Sequence, residues 1–286
     1  MESKRIAAII PALNESVAIR MAINELQPFV SVVIVVDDGS CDNTSALAEA
    51  GGAVVLKHVK TRGYGAALKS GLAEAFEIGM DLAVFADGDG AHDAAAIPAL
   101  VKTHTECDAE LTLGSRLING GKSIFPSPKE SVNRMAAAVF RRIANINVTD
   151  VACGMRLLSR KTMKMPVATD NFGYAFDMLV EAVQHGLRIA EVGVPVRYDA
   201  SEPLVSRICE ILAFLTAMRR LPEANKYENA LKSMSEAIGA YNKVTVSVEG
   251  TLYYFHPARE YKAYLVQEQH SAFRSRRTVV GTMVAF

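Results

Sequence analysis

Leu82-Ala83-Val84-Phe85-Ala86-Asp87-Gly88-Asp89-Gly90-Ala91-His92-Asp93 runs from an uninterrupted apolar stretch directly into alternating carboxylates and glycines. A short apolar run without polar alternation fits a strand buried on both faces, the kind that parallel sheets contain. Its end places Asp87 and Asp89 at the carboxyl edge of that strand, where open α/β sheets bind ligands. Glycines at 88 and 90 let the backbone approach a ligand closely. Alternating carboxylates can aim their oxygens at one point, and hard divalent cations such as Mg²⁺ or Mn²⁺ take oxygen ligands that they share with substrate phosphates. An EF-hand loop needs further acids and a closing glutamate, and residues 94–100 supply none. Asp87 and Asp89 are therefore candidate metal ligands.

Outward from this stretch the pattern repeats. Strands are expected over 6–10, 32–36, 53–56, 82–86, 110–114 and 189–198, and helices over 15–26, 43–50, 65–78, 94–105, 130–144, 174–185 and 208–221. Apolar strands alternating with helices predict a mostly parallel sheet covered on both faces. A Gly/Pro/Ser-rich loop is expected over 115–128 and a turn around 150–154. After about residue 225 the pattern changes to a helical stretch, then strands at 244–248, 261–267 and 278–286, predicting a small antiparallel module. The expected division is an α/β domain over 1–222 and a C-terminal helix and β-strand module over 223–286.

Two further acidic or polar turns follow predicted strands. Pro11-Ala12-Leu13-Asn14-Glu15 ends the first, and Asn14 there reads equally as a helix cap. Asp37-Asp38-Gly39-Ser40 ends the second, and carboxylates at such a position accept hydrogen bonds from a base or ribose. Lysine plus arginine equals aspartate plus glutamate at 31 each, which argues against affinity for a nucleic-acid backbone. The four cysteines, Cys41, Cys107, Cys153 and Cys209, lack metal-site spacing and read as reduced thiols of a cytoplasmic protein. No apolar run reaches the ~18 residues a spanning helix requires, and no signal peptide is read at the start.

Together these stretches resemble the family 2 glycosyltransferases, and within them the polyprenyl- or dolichol-phosphate sugar transferase branch. The resemblance spans roughly residues 4–200. It rests on Pro11 to Glu15, Asp37 to Ser40 and Arg62-Gly63-Tyr64-Gly65-Ala66-Ala67-Leu68-Lys69. It continues through Ala86 to Asp93, Gly114-Ser115-Arg116, Asp150 to Arg156 and Ala190-Glu191-Val192. It implies a GT-A, Rossmann-like fold, a UDP- or GDP-linked sugar donor, a Mg²⁺ or Mn²⁺ ion and inversion at the anomeric carbon. By the same resemblance Pro11, Leu13, Glu15 and Asp38 line the nucleoside pocket, and Gly65 and Lys69 lie beside the base. Asp87 and Asp89 hold the metal and diphosphate, and Arg116 and Arg156 handle phosphate or acceptor. Asp177 matches the region where hydroxyl-glycosylating relatives keep their catalytic base, although a carboxylate in a first helical turn is also favoured by the helix dipole. His92 is an alternative.

The acceptor is left open between a small molecule, a glycan and a lipid phosphate. Tyr198-Asp199-Ala200-Ser201-Glu202-Pro203 is acidic where the lipid-phosphate branch often continues basic. The apolar stripe Ile208, Ile211, Leu212 and Leu215 fits core or subunit packing as well as peripheral contact with the inner face of a membrane. The tail is read as an acceptor platform or a homo-oligomer contact. Two rival readings are a silent sugar-nucleotide-binding scaffold and a sugar-1-phosphate nucleotidylyltransferase. The second would carry a glycine-rich basic loop after the first strand, which Pro11 to Glu15 is not.

Overall fold

The computed structural model describes residues 4–88, 93–118, 127–171, 173–195, 213–214, 216–227, 246–248, 251–254 and 264–267. The first five strands in chain order are β1 (Ile6–Ala12), β2 (Val32–Asp37), β3 (Val54–Lys57), β4 (Leu82–Phe85) and β5 (Leu111–Ser115). With β6 (Arg156–Ser159) and β7 (Ile189–Gly193) they form a seven-stranded sheet of order β3-β2-β1-β4-β6-β5-β7. Strand β6 is antiparallel to both neighbours, and every other pairing in this sheet is parallel.

The helices are α1 (Ile19–Leu26), α2 (Thr44–Ala50), α3 (Tyr64–Glu77), α4 (Ile97–Glu106), α5 (Ser127–Ala144), α6 (Arg160–Met163) and α7 (Tyr174–Gln184). Because strand side chains alternate between faces, β1 feeds two cores. Ala7 and Ile9 join Ile34, Val36, Phe85 and Leu113 under α3, α5 and α7. Ile6, Ala8 and Ile10 join Val33, Val35, Leu82 and Val84 under α1, α2 and α4. Uniform apolarity in the strands is the consequence of serving both.

Helix α3 buries its small residues, Gly65, Ala66, Ala67 and Gly71, with Leu68 and Leu72. A Cβ on Gly71 would stand 2.4 Å from Cγ2 of Ile9. Glycine there lets the helix backbone sit directly on β1, which fixes where the start of α3 meets the sheet edge.

The departures from the sequence expectations are local. The expected helix over 15–26 starts at Ile19, because Ser16 donates its backbone N–H to Asp42 Oδ2 at 3.2 Å and Asn14 takes φ 59°. Asn14 does not cap that helix; its Oδ1 accepts from the Cys41 backbone N–H at 2.9 Å. Strand β6 and α6 were absent from the sequence reading. Four residues of Arg-Leu-Leu-Ser offer no periodicity, and only the neighbouring β4 and β5 select an extended conformation there. Helix α5 begins before residue 130, inside the expected loop over 115–128, of which 119–126 lie outside the described residues. The strand expected over 189–198 is described to Gly193.

Most of the helix expected over 208–221 lies outside the described residues, but Ala213, Phe214 and 216–218 are helical. Leu221 and Ala224 are buried in the α3–α5–α7 core, so packing of the main body runs slightly past residue 222. In the tail, β8 (Val246–Val248), β9 (Thr251–Tyr254) and β10 (Tyr264–Gln267) form a separate antiparallel sheet of order β10-β9-β8. The strand expected over 278–286 and the helical stretch after 227 lie outside the described residues.

Candidate active site

The carboxyl ends of β1, β2 and β4 converge on one edge. The loops after β1 and β2 are laced by side-chain bonds: Asn14 N–H donates to Ser40 Oγ and Glu15 N–H to Thr44 Oγ1, each at 2.8 Å. Asp42 braces the same join, and the hydrogen bond from Thr44 draws its carboxyl down to about 2. Asp37 is fully buried. Burial acts to raise its pKa, but hydrogen bonds from Ser45 and Ser40 outweigh it and hold the carboxyl below its usual range.

Asp38 is committed to protein partners. His58 Nδ1 lies 2.5 Å from its Oδ1, which also accepts from the Arg62 N–H at 2.9 Å. Its Oδ2 accepts from the Gly63 N–H at 2.8 Å. His58 in turn meets Ser70 Oγ through Nε2 at 2.9 Å. Asp38 thus clamps the turn that launches α3. Gly63 is required in that turn: its φ is 105°, and a Cβ would fall 2.4 Å from the Asp170 carbonyl oxygen. Gly65 is similarly tight, 2.8 Å from the Thr169 carbonyl oxygen.

The clamp delivers Tyr64 to the end of β4. Its hydroxyl lies 3.5 Å from Asp87 Oδ1, a long contact, and burial followed by the Asp87 charge pushes the phenol well above its usual pKa. Asp87 is half-buried. At the next residue, a Cβ on Gly88 would touch Glu15 Cγ at 3.4 Å and the Pro11 carbonyl oxygen at 3.5 Å. Pro11, Glu15, Tyr64 and Asp87 are therefore gathered by the fold. Leu13 is half-buried in the same loop. Asp89 and His92 lie outside the described residues. Among the described residues no group of three or more His, Cys, Asp or Glu forms a metal cluster.

Lys69, one turn and a half along α3, donates to Asp170 Oδ1 at 2.7 Å and sits 6.0 Å from the centre of the Tyr174 ring. Tyr174 opens α7 and stands 6.4 Å from Phe85, ring to ring. Asp177 follows within the first turn. It is 7% exposed and ion-paired to Arg220 at 2.9 Å, and Arg220 also bonds Glu181. Burial raises the pKa of Asp177, and the Arg220 charge opposes this without cancelling it.

The two arginines expected at the site face protein. Arg156 is buried and donates to the backbone carbonyls of Cys153 at 3.1 Å, Val151 at 2.9 Å and Ala175. Its charge lies near Tyr64 and Tyr174, and burial lowers its pKa. Arg116 binds Asp150 through Nε at 2.6 Å and Nη2 at 2.9 Å. Asp150 also receives Asn133 Nδ2 at 2.7 Å, and burial, which raises its pKa, is overcome by Arg116. Glu191 accepts the Thr149 and Asp150 N–H groups at 2.8 Å, so β5, β7, α5 and the 149–152 turn meet in one polar knot. In this arrangement both arginines hold backbone and side chains in place.

Sequence reasoning passed over Tyr64, His58 and Arg220. Tyr64 lay inside a quoted motif, but nothing local shows that its hydroxyl reaches Asp87. Arg220 lies at the end of the helix expected over 208–221, and nothing local shows that its guanidinium reaches Asp177.

Comparison with known proteins supplies the family and the fold. The family profile described as "Glycosyl transferase family 2" matches residues 7–164, more than half of the chain. An undecaprenyl-phosphate mannosyltransferase from Micrococcus luteus is 29% identical over 202 residues, 66% of this chain and 82% of that protein. A UDP-N-acetylglucosamine–dolichyl-phosphate N-acetylglucosaminyltransferase from Methanococcus voltae is 28% identical over 220 residues, 69% of this chain and 88% of that one. Among solved structures, glucosyl-3-phosphoglycerate synthase from Mycobacterium tuberculosis shares the fold. The TM-score is 0.60 at 24% identity, over 76% of this chain and 80% of that one, and its complex holds Mn²⁺, uridine diphosphate and glucosyl-3-phosphoglycerate. The sheet expected from the strand pattern is thus the GT-A arrangement, with its acid-bearing edge inside the matched span, and the chain belongs to glycosyl transferase family 2.

Proposed function

We propose that the protein transfers a sugar, with inversion, from a UDP- or GDP-linked donor to a hydroxyl of a soluble acceptor or to a polyprenyl phosphate. The observation that carries this reading is Asp87 at the carboxyl end of β4, gathered with Tyr64, Glu15 and Pro11 on the edge where α/β sheets bind nucleotides. The relatives' names and the family membership support it.

The donor set suits a small hard cation. Such ions take one or two carboxylates and complete their shell with water and substrate phosphates, which Asp87 with Asp89 would satisfy. A bound Mg²⁺ or Mn²⁺ would supply Lewis-acid stabilisation of the departing diphosphate. The chain's own residues do the positioning. Tyr64 steers the Asp87 carboxylate. Asp38 holds the turn that carries Tyr64, and Gly63 and Gly65 let that turn lie against 169–170.

Asp177 is the proposed general base for a hydroxyl acceptor. Its raised pKa makes it a better proton acceptor than an ordinary carboxylate. A phosphate acceptor is already an anion and needs no base. The proposed organisation keeps a catalytic domain over 1–222 and an acceptor or oligomerisation module over 223–286, whose β8–β10 sheet pairs only with itself among the described strands. No helix among the described residues is long and apolar enough to cross a membrane.

The test is metal-dependent release of free nucleoside diphosphate from candidate donors, preceded by a thermal-shift screen of nucleotide sugars with and without Mn²⁺. Release of pyrophosphate in its place would indicate a nucleotidylyltransferase. Tight binding without turnover would indicate a scaffold.

A further inference from the structure

Arg116, Arg156 and Arg220 differ in their partners, and the partners separate them. Arg156 is fully buried on backbone carbonyls, and Arg116, with 8% side-chain exposure, grips a completely buried Asp150. Neither can turn to a ligand without opening a buried network. Arg220 differs: its side chain keeps 35% exposure, while its partners Asp177 and Glu181 keep 10% and 9%.

The backbone that carries Arg220 is anchored by other means. Gln184 Nε2 donates to the Arg220 carbonyl at 2.7 Å, Phe214 packs edge-on against Phe176 at 5.4 Å, and Met218 and Leu221 are buried in the core. The guanidinium can therefore swing while its segment stays. What competes with two carboxylates for a guanidinium is another anion with matching fork geometry. Lys69 is close enough for its charge to act on Asp177, although it is itself paired to Asp170 at 2.7 Å, so Arg220 is the cation that the proposal concerns.

We propose that Arg220 is the receptor for an anionic group of the acceptor, parked on Asp177 and Glu181 in the empty protein and handed to a phosphate or carboxylate when the acceptor arrives. This rests on the reading that the acceptor binds beside Asp177. It narrows the acceptor to a phosphorylated or carboxylated molecule. It also makes Asp177 available only when that molecule is in place, which keeps the base from activating water beforehand.

The test uses the full chain with nucleoside diphosphate and Mn²⁺ filling the donor side, and inorganic phosphate as the probe in calorimetric titrations. Wild type should bind phosphate and R220Q should bind it at least about tenfold more weakly. D177N should bind it about threefold or more tightly, because parking on a carboxylate lowers the receptive fraction of Arg220 and the amide removes that competitor. Equal affinities of wild type and R220Q, or no gain in D177N, would overturn the proposal. If R220Q does not fold, E181Q joins D177N as the deciding pair, both preserving side-chain shape. Displacement of the phosphate by 3-phosphoglycerate marks a soluble source of the anion. Displacement by phosphatidylcholine vesicles doped with undecaprenyl phosphate marks a lipid one, and displacement by neither counts against the proposal. The titration needs no turnover, so failure of the transferase reading shows separately, as donors that release no nucleoside diphosphate.

Discussion

Asp87 and Asp177 are both carboxylates near one sheet edge, yet their surroundings assign them opposite work. Asp87 is half-buried beside a hydroxyl, at the position proposed for a cation and substrate phosphates. Asp177 is buried against an arginine and holds its proton more firmly than an ordinary carboxyl. Asp87→Asn keeps the shape and removes the charge, so diphosphate release should fall by about 10²-fold or more, the scale of a lost electrostatic contact to the leaving group. Rates within a factor of a few of wild type would remove Asp87 from the site. Asp177→Asn should lower turnover with a hydroxyl acceptor by ~10²- to 10⁴-fold while donor affinity stays unchanged. The pH profile adds a sign. Because the pKa of Asp177 is raised, activity should decline on the acid side starting above the usual aspartate value of about 3.9. That limb should vanish from the residual activity of the variant, and its persistence would assign the base elsewhere.

At the scale of elements, the site depends on how closely α3 approaches the sheet. Gly71 allows contact with Ile9, and Gly63 and Gly65 allow contact with 169–170, so Tyr64 and Lys69 are placed by backbone proximity rather than by long side chains. Gly71→Ala would insert a methyl 2.4 Å from Ile9 Cγ2 and push α3 outward. Overpacking of this kind costs roughly 1–3 kcal/mol, enough to lower the melting temperature by several degrees and to weaken nucleotide binding. A variant as stable as wild type in denaturant titration would show that β1 yields easily at this point.

For the molecule as a whole, buried acids tie distant segments together and set its acid limit. Asp150 links α5, the end of β5 and the 149–152 turn, and Asp37 ties β2 to the turn and helix that follow it. Both have pKa values held below the usual range despite burial. A carboxyl depressed in the folded state adds stability that is complete above its unfolded pKa of about 3.9 and is lost as pH falls through the folded value. Asp150→Asn should therefore be clearly less stable than wild type at pH 7, and the gap should shrink steadily below about pH 4 in urea titrations. A gap independent of pH would mean that Asp150 contributes shape and not charge. Asp177 works the other way, since its raised pKa favours the folded state on protonation.

The alternation of apolar runs with amphipathic helices, and the acids at the ends of β2 and β4, were sufficient to derive a mostly parallel sheet, its two covered faces and the edge where those acids gather. Those are periodic and local signals, because a strand buried on both sides must be apolar throughout and a ligand edge must end in polar atoms. Strand β6, the pairing of Arg116 with Asp150, the burial of Arg156, the reach of Tyr64 to Asp87 and the hold of Arg220 on Asp177 came only from the folded chain. Each joins residues far apart in sequence, and each depends on which charge finds a partner once water is excluded. A guanidinium in a sequence has no such partner to show, so its type was legible and its task was decided by packing.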